Sequence, residues 1–417
     1  MQRSIFQNRL RRAEQELGFN FSEEVESENQ DEEEPKDITG KVAGVVHSKD
    51  VRDSTKETSQ YPKWSTVFDE NDIFCNNEGY SFQTYFKKPI LQDGDTPIVF
   101  IGHHGAGSSG LTFGELCKSV VSNTRDGYIS KPGFFTFDFR GHSMTNLLNA
   151  DDEGNYRMDI DTLVGDFKFI IDHFLAKFKD RYSSKIHLFI IGHSLGGSVA
   201  IKLLRDHQFD DVKGLVIVDI VEETAIHSLD AMDSYLNKLP KSFQTLEMAI
   251  NWYVNQGLIN NSQSAKLSIP SLLKHNQNGS WEFIVDLRKS KPYWNDWFKG
   301  ISNDFVTLPN RISKLLVLAN NDYLDKPLII GQMQGKYQLM VFYSDTNLSN
   351  FLTTSTTVIS DSMKIGHFIH EDVPNKFTKA LLQFVERNDL SFRRNDESNS
   401  QLQLINKLNA KWNAHKK

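Results

Sequence analysis

The string Gly192-His193-Ser194-Leu195-Gly196-Gly197 carries the most legible chemistry in this chain of 417 residues. It follows the apolar run Ile186–Ile191 directly and opens a helical pattern. That strand–turn–helix context is what a G-x-S-x-G nucleophile elbow requires. The turn is too tight for side chains at Gly192 and Gly196. It lifts the Ser194 hydroxyl to the top of a sheet and leaves the Leu195 N–H at a helix N-terminus, ready to stabilise an oxyanion. Without those flanks the string would be a weak signal, and a Gly/Ser turn of no catalytic role is the alternative.

The second oxyanion donor belongs in the loop after an earlier strand. Ile98–Gly102 is followed by His103-His104-Gly105-Ala106-Gly107, where glycine lets the chain fold back over the site. The Ala106 N–H is the candidate donor, against a plain glycine-rich turn. Phosphate binding fits less well, because no Lys follows the glycines and the G-x-G-x-x-G spacing is absent. A serine nucleophile needs a base. His367, in Gly366-His367-Phe368-Ile369-His370-Glu371-Asp372, follows the last strand-like region and is the expected base; His370 is the competitor, expected to pack or bond nearby. The acid is open at this point. Asp219 ends the run Gly214–Ile220, and Asp322 lies just after the next strand, in Leu318-Ala319-Asn320-Asn321-Asp322. Either carboxylate would reach His367 from a sheet-top position, and local pattern alone favours Asp322 slightly.

Bringing these groups together takes a sheet whose strand ends line up. Runs at Tyr80–Phe86, Ile98–Gly102, Phe134–Asp138, Ile186–Ile191, Leu215–Ile220, Leu315–Ala319 and Tyr337–Tyr343 are apolar and bounded by Gly, Asp or Pro. Several are continuous, as in strands covered on both faces. Between them lie helical patterns, such as Ile160, Leu163, Val164, Phe167, Ile171, Phe174, Leu175 and Phe178. The expected class is therefore α/β, with a mainly parallel central sheet flanked by helices. Residues 222–310 break the alternation and are rich in Trp and Tyr, which predicts a helical lid insertion. The expected hydrolase domain spans 61–388.

Outside that domain the composition changes. Residues 1–21 hold four Arg against two Glu and read as a basic arm. Residues 22–60 hold twelve acidic and five basic side chains and no aromatic residue, which reads as a disordered acidic linker. Residues 389–417 form a basic tail. The net charge of −7 and the mild charge density of the middle exclude a mainly nucleic-acid-binding design. The longest apolar runs fall short of the ~18 residues of a membrane span, and no secretory signal is visible at the N-terminus. Cys75 and Cys117 support neither a disulfide framework nor a cysteine zinc site. Both are expected as small buried hydrophobes in a reducing compartment, cytoplasm or nucleus.

Several segments resemble the protein phosphatase methylesterases: GHSLGG, VIVDIVEETA, LLVLANNDYLD followed by IIGQMQGKYQ, GHFIHEDVPNKF, and the lid stretches SAKLSIPSLL and VDLRKSKPYWNDWFKGISNDF. The likeness runs over residues 60–388. The elbow and the histidine loop are common to many α/β-hydrolases, whereas the IGQMQGK-like and lid runs are specific. The resemblance implies an α/β-hydrolase fold and hydrolysis of the methyl ester on the C-terminal leucine of the type 2A protein phosphatase catalytic subunit. It implies Ser194 as nucleophile, His367 as base and Asp219 as acid, with Asp322 as runner-up, and needs no metal or organic cofactor. A monomer with no nucleic-acid or membrane partner is expected, with the tryptophans of the lid clamping a peptide tail. A general small-ester carboxylesterase and a non-catalytic phosphatase-binding protein on the same scaffold are the alternatives. The sequence departs from the family pattern at Glu223, usually Gly, at His103-His104, and in a long segment from Asp345 to Lys364.

Overall fold

Runs of branched and aromatic residues suit strands packed on both faces, and they supply most of the central sheet. The computed structural model describes residues 58–392 apart from 92–94, 125–129, 148–156, 183–184, 320–322, 345–363 and 390. The basic N-terminal arm, all but the last three residues of the acidic segment, Asp322, the Ser/Thr-rich stretch at 353–357 and nearly all of the basic tail lie outside the described residues.

The strands are β1 Glu70–Cys75, β2 Tyr80–Lys87, β3 Ile98–His103, β4 Gly133–Phe137, the two-residue β5 Asn146–Leu147, β6 His187–His193, β7 Val212–Val218, then β10 Ser313–Ala319 and β11 Gln338–Phe342. Their order is β1-β2-β4-β3-β6-β7-β10-β11, with β5 on β2. From β4 to β11 every pairing is parallel; β1, β2 and β5 add antiparallel pairs at one edge. β1 is absent from the expected strands because Glu-Asn-Asp-Ile-Phe-Cys is an edge strand that buries Phe74 alone. Cys75 ends that strand exposed, contrary to expectation; Cys117 is buried as expected.

Side chains alternate across the strands and feed two cores. Val99, Ile101, Leu188, Ile190, Leu215 and Ile217 face one layer with helices α2 Ile160–Tyr182 and α3 Leu195–Asp206. Ile98, Phe100, Phe189, Ile191, Val216 and Val218 face the other, with α1 Gly114–Asn123 and α11 Pro374–Asn388. This is the period-2 pattern of strands sandwiched between two helical layers. The face that α2 buries, from Leu163 to Phe178, is the apolar stripe read from its spacing.

Between β7 and β10 the chain runs through α4 Glu222–Lys238, α5 Leu246–Asn255, α6 Ser262–Ser268, an antiparallel ribbon of β8 Leu273–His275 and β9 Trp281–Phe283, α7 Trp294–Trp297 and α8 Ile301–Thr307. Thr245 and Asn261 cap α5 and α6 by accepting backbone N–H groups. This segment has its own core around Leu246, Ile250, Tyr253, Ile269 and Trp281. The ribbon corrects the expectation of helices and loops alone: strands of three residues are too short to show a period. Two tryptophans of the insertion are fixed through their indole N–H groups. Trp294 donates to Ser290 Oγ (2.9 Å) and Trp297 to the Met158 carbonyl (2.7 Å), both rings being buried. Trp294 bonds within the insertion, whereas Trp297 ties it to the chain just ahead of α2 and also lines the cavity described below. Among the described residues no helix is long and apolar enough to cross a membrane.

Candidate active site

Parallel strands deliver the candidate residues at one sheet edge. β6 and β7 pair His193 with Val218 in their last register, so Ser194 and Asp219 follow side by side. Each is hung from the next strand: Ser194 N–H donates to the Val218 carbonyl (3.0 Å) and Asp219 N–H to that of Val317 (2.8 Å). Both have a positive φ, 50° at Ser194 and 54° at Asp219. L-residues hold such backbone only where the surroundings impose it. The elbow is closed by absent side chains; a Cβ on Gly196 would come within 2.2 Å of the His103 carbonyl oxygen.

His367 Nδ1 lies 2.8 Å from Asp219 Oδ2, while Asp219 Oδ1 accepts the Ala319 N–H (2.9 Å). One carboxylate thus orients the imidazole and is itself fixed by β10. Ser194, Asp219 and His367 line one cavity of about 470 Å³. No direct hydrogen bond joins Ser194 to His367 among the described residues, and such contacts often tighten only around substrate. Asp322 falls outside the described residues. His370 turns away from the cavity. Its Nε2 lies 2.9 Å from Thr112 Oγ1, its ring stacks on Phe113, and burial pushes its pKa down to about 3.

The loop carrying Ala106 folds directly over the elbow. A Cβ on Gly105 would stand 3.0 Å from Ser194 Cβ, and Ala106 lines the cavity. Leu195, at the first turn of α3, is fully buried. Two imidazoles pin this loop. Gly107, with φ +75°, donates its N–H to His142 Nε2 (2.9 Å), and His104 Nδ1 lies 2.8 Å from the Gly105 carbonyl. Each ring uses its other nitrogen as well: His142 Nδ1 meets the Arg140 carbonyl (3.0 Å), and His104 Nε2 accepts the Phe139 N–H (3.1 Å). A ring that donates at one nitrogen and accepts at the other must be neutral. Burial enforces this, pushing His142 and His103 down to about 4 and His104 and His193 well below the usual imidazole value. The sequence reading passed over His142; its position after strand β4, in Phe139-Arg140-Gly141-His142, was the available signal.

The cavity is roofed by the insertion. Leu229, Met232, Leu236, Leu272, Phe283 and Phe298 give it an apolar wall.

The alpha/beta hydrolase family model matches residues 98–377. At 14% identity, the crystal structure of E-2-(acetamidomethylene)succinate hydrolase matches 76% of this chain and all of its own with a TM-score of 0.53, a likeness of fold. Sequence relatives are nearer. Protein phosphatase methylesterase 1 of Kluyveromyces lactis is 38% identical over 357 residues, 84% of this chain and 83% of the relative. That of Debaryomyces hansenii is 40% identical over 331 residues, 78% and 76% of the two chains. That of Saccharomyces cerevisiae is 36% identical over 356 residues, 84% and 82%. The chain belongs to the protein phosphatase methylesterase family. Membership makes it a carboxylic ester hydrolase of the α/β-hydrolase fold. Two departures from the methylesterase pattern now have a place. Glu223 sits exposed in the first turn of α4, where its charge suits the helix dipole. His103 is buried, its ring edge-on to Phe137 and Phe167. Residues 345–363 of the long segment lie outside the described residues.

Proposed function

We propose that this enzyme removes the methyl ester from the C-terminal leucine of the type 2A protein phosphatase catalytic subunit, with Ser194, His367 and Asp219 carrying the reaction. The contact of 2.8 Å between Asp219 Oδ2 and His367 Nδ1, beside a serine on a strained elbow, is the observation that carries this reading. The names of the methylesterase relatives support a protein phosphatase methyl ester as the substrate.

Asp219 holds the His367 Nδ1–H and leaves Nε2 to accept. Ser194 Oγ attacks the ester carbonyl carbon and gives its proton to Nε2. The Leu195 and Ala106 N–H groups stabilise the oxyanion. The intermediate collapses, and His367 returns the proton to the departing methoxide, which leaves as methanol. Water, deprotonated by His367, then attacks the acyl-serine and releases the carboxylate. No metal or organic cofactor takes part. Residues 222–310 serve as the lid, and their apolar wall supports a substrate that ends in an apolar side chain. The protein acts as a monomer in a reducing compartment, cytoplasm or nucleus, which suits an exposed free Cys75.

Mass spectrometry of the methylated phosphatase after incubation with wild type, Ser194→Ala, Asp219→Asn and Asp322→Asn tests substrate and acid together. Demethylation is expected from wild type and Asp322→Asn only. If Asp322→Asn abolishes it and Asp219→Asn does not, the acid assignment fails.

A further inference from the structure

The string His370-Glu371-Asp372 behind the histidine loop has no part in the chemistry above, yet both its carboxylates are buried and take their hydrogen bonds from N–H and O–H groups of neutral residues. Asp372 Oδ2 accepts the Gly366 N–H (2.7 Å), the peptide group immediately before His367. The same carboxylate accepts the Asn260 N–H at Oδ1 (2.6 Å) and Asn260 Nδ2 at Oδ2 (2.9 Å). Asn260 belongs to the lid, between α5 and α6. Glu371 binds the next turn of the lid: Oε2 accepts Ser264 Oγ (2.7 Å) and Ser268 Oγ (2.8 Å), and its carbonyl accepts Asn261 Nδ2 (3.0 Å). Its other oxygen accepts Thr112 Oγ1, ahead of α1. On the far side of the base, His193 Nε2 lies 3.0 Å from the His367 carbonyl oxygen. The backbone of His367 is therefore gripped before and after, and the front grip is shared with the lid.

We infer that Asp372 is a positioning residue for His367 and, with Glu371, a latch that makes the base loop and lid residues 260–268 move as one unit. Burial without a cation is costly for a carboxylate unless N–H and O–H donors surround it. Here donors from two separate segments converge on each carboxylate, so parting the lid from the loop strands two buried acids. Burial pushes Asp372 up to about 6 and Glu371 up to about 7, so both carry charge in mildly alkaline buffer. A lid displaced at Asn260 releases one side of Asp372 and loosens Gly366, and with it the imidazole that Asp219 orients.

The inference rests on His367 being the base, so His367→Ala is measured beside the test variants. Asp372→Asn keeps the shape and removes the charge and one acceptor. Its kcat should fall about 10–100-fold with KM changed less than about threefold, as for a group that holds a reacting residue in place. The titratable groups near His367 are Asp219, which meets its ring, His193 and His370, which interact with it, Glu371, which lines the same cavity, and Asp372, whose charge acts on Asp219. Removing one negative charge from that set should also move the acid limb of the kcat/KM–pH profile to lower pH, a change that a purely structural role would not produce. Asn260→Ala leaves the Gly366–Asp372 bond intact and weakens only the lid end, removing the Nδ2 bond to Asp372 while the Asn260 N–H bond stays. It should lower kcat as well, with its melting transition retained, and it decides the matter if Asp372→Asn does not fold. A folded Asp372→Asn with wild-type kcat and pH profile overturns the positioning role. A wild-type kcat in Asn260→Ala overturns the coupling to the lid. Activity in His367→Ala would instead overturn the base assignment.

Discussion

Replacing Ser194 with glycine should make the protein more stable than replacing it with alanine, although both replacements should abolish activity. Ser194 holds φ 50° and ψ −122°, backbone that glycine adopts freely and other residues adopt under strain. The geometry is imposed from outside, by its N–H on the Val218 carbonyl and by its own carbonyl, which accepts from Gly197 (2.8 Å) and Ser198 (3.2 Å). A non-glycine residue held there costs about 1–3 kcal/mol. Glycine gives back about 0.4–1 kcal/mol through the greater freedom of its unfolded chain. The difference, about 1–2 kcal/mol in favour of Ser194→Gly over Ser194→Ala, corresponds to about 1–3 °C in Tm for a domain of this size. Both variants lose the hydroxyl, so their comparison isolates the backbone. Calorimetric melts of the two proteins at one concentration provide the assay. A Tm for Ser194→Gly at or below that of Ser194→Ala would show that the elbow is relaxed with a side chain in place, and the strain argument would fall.

Asp219→Asn keeps the shape of the acid but leaves His367 Nδ1 wrongly matched, and kcat on a methyl ester should fall about 10³–10⁴-fold in steady-state assays. His142→Ala removes the acceptor for the Gly107 N–H and frees the loop that carries Ala106, so kcat should fall about 10–100-fold with little change in KM; an unaffected kcat would separate that loop from oxyanion binding. His103 and His142, depressed from 6.5 to about 4, take up protons in the unfolded chain first. The stability they contribute at neutral pH, about 3 kcal/mol each, is therefore lost as pH falls from about 6.5 towards 4. Glu371, Asp372 and Asp138, raised to about 7, 6 and 6, act in the opposite sense and gain stability as they protonate over much of the same window. Among the described residues five buried histidines still outnumber the four buried carboxylates that burial raises, Asp166 included, so urea midpoints should fall from pH 6.5 to pH 4.5; a rising midpoint would contradict the neutral state assigned to the rings.

The sheet was legible because its strands are continuous apolar runs whose ends carry the punctuating Gly, Asp and His residues. Seven of the expected strands coincide with observed ones to within a few residues, and the α2 stripe from Leu163 to Phe178 is buried as its spacing implies. The elbow was legible from the spacing of its glycines around Ser194: Gly192 answers the local approach of Gly196 and Gly197, whereas Gly196 answers the His103 carbonyl of a neighbouring strand. Asp219 was not separable from Asp322 on local grounds, since both follow strands of similar character; the choice depends on which strand end His367 faces, a long-range fact. The short ribbon in the lid and the exposed strand β1 escaped because pairing partners, rather than period, define them. His142 escaped because its role depends on the Gly107 N–H thirty-five positions away.

Ser194 and Asp219 hang from the carbonyls of neighbouring strands deep in a parallel sheet, whereas His367 hangs from a loop tied to the insertion. The site therefore straddles two regimes of local stability. Amides at the strand ends should exchange only when the sheet opens, which is a global event, while the Gly366 amide, held by Asp372, should answer to fluctuations of the lid. Heat or mild denaturant should reach His367, the proposed base, first. The enzyme should lose its proton-transfer machinery through sub-global opening well before its nucleophile is displaced, so inactivation precedes unfolding and reverses on cooling as long as the sheet stays closed.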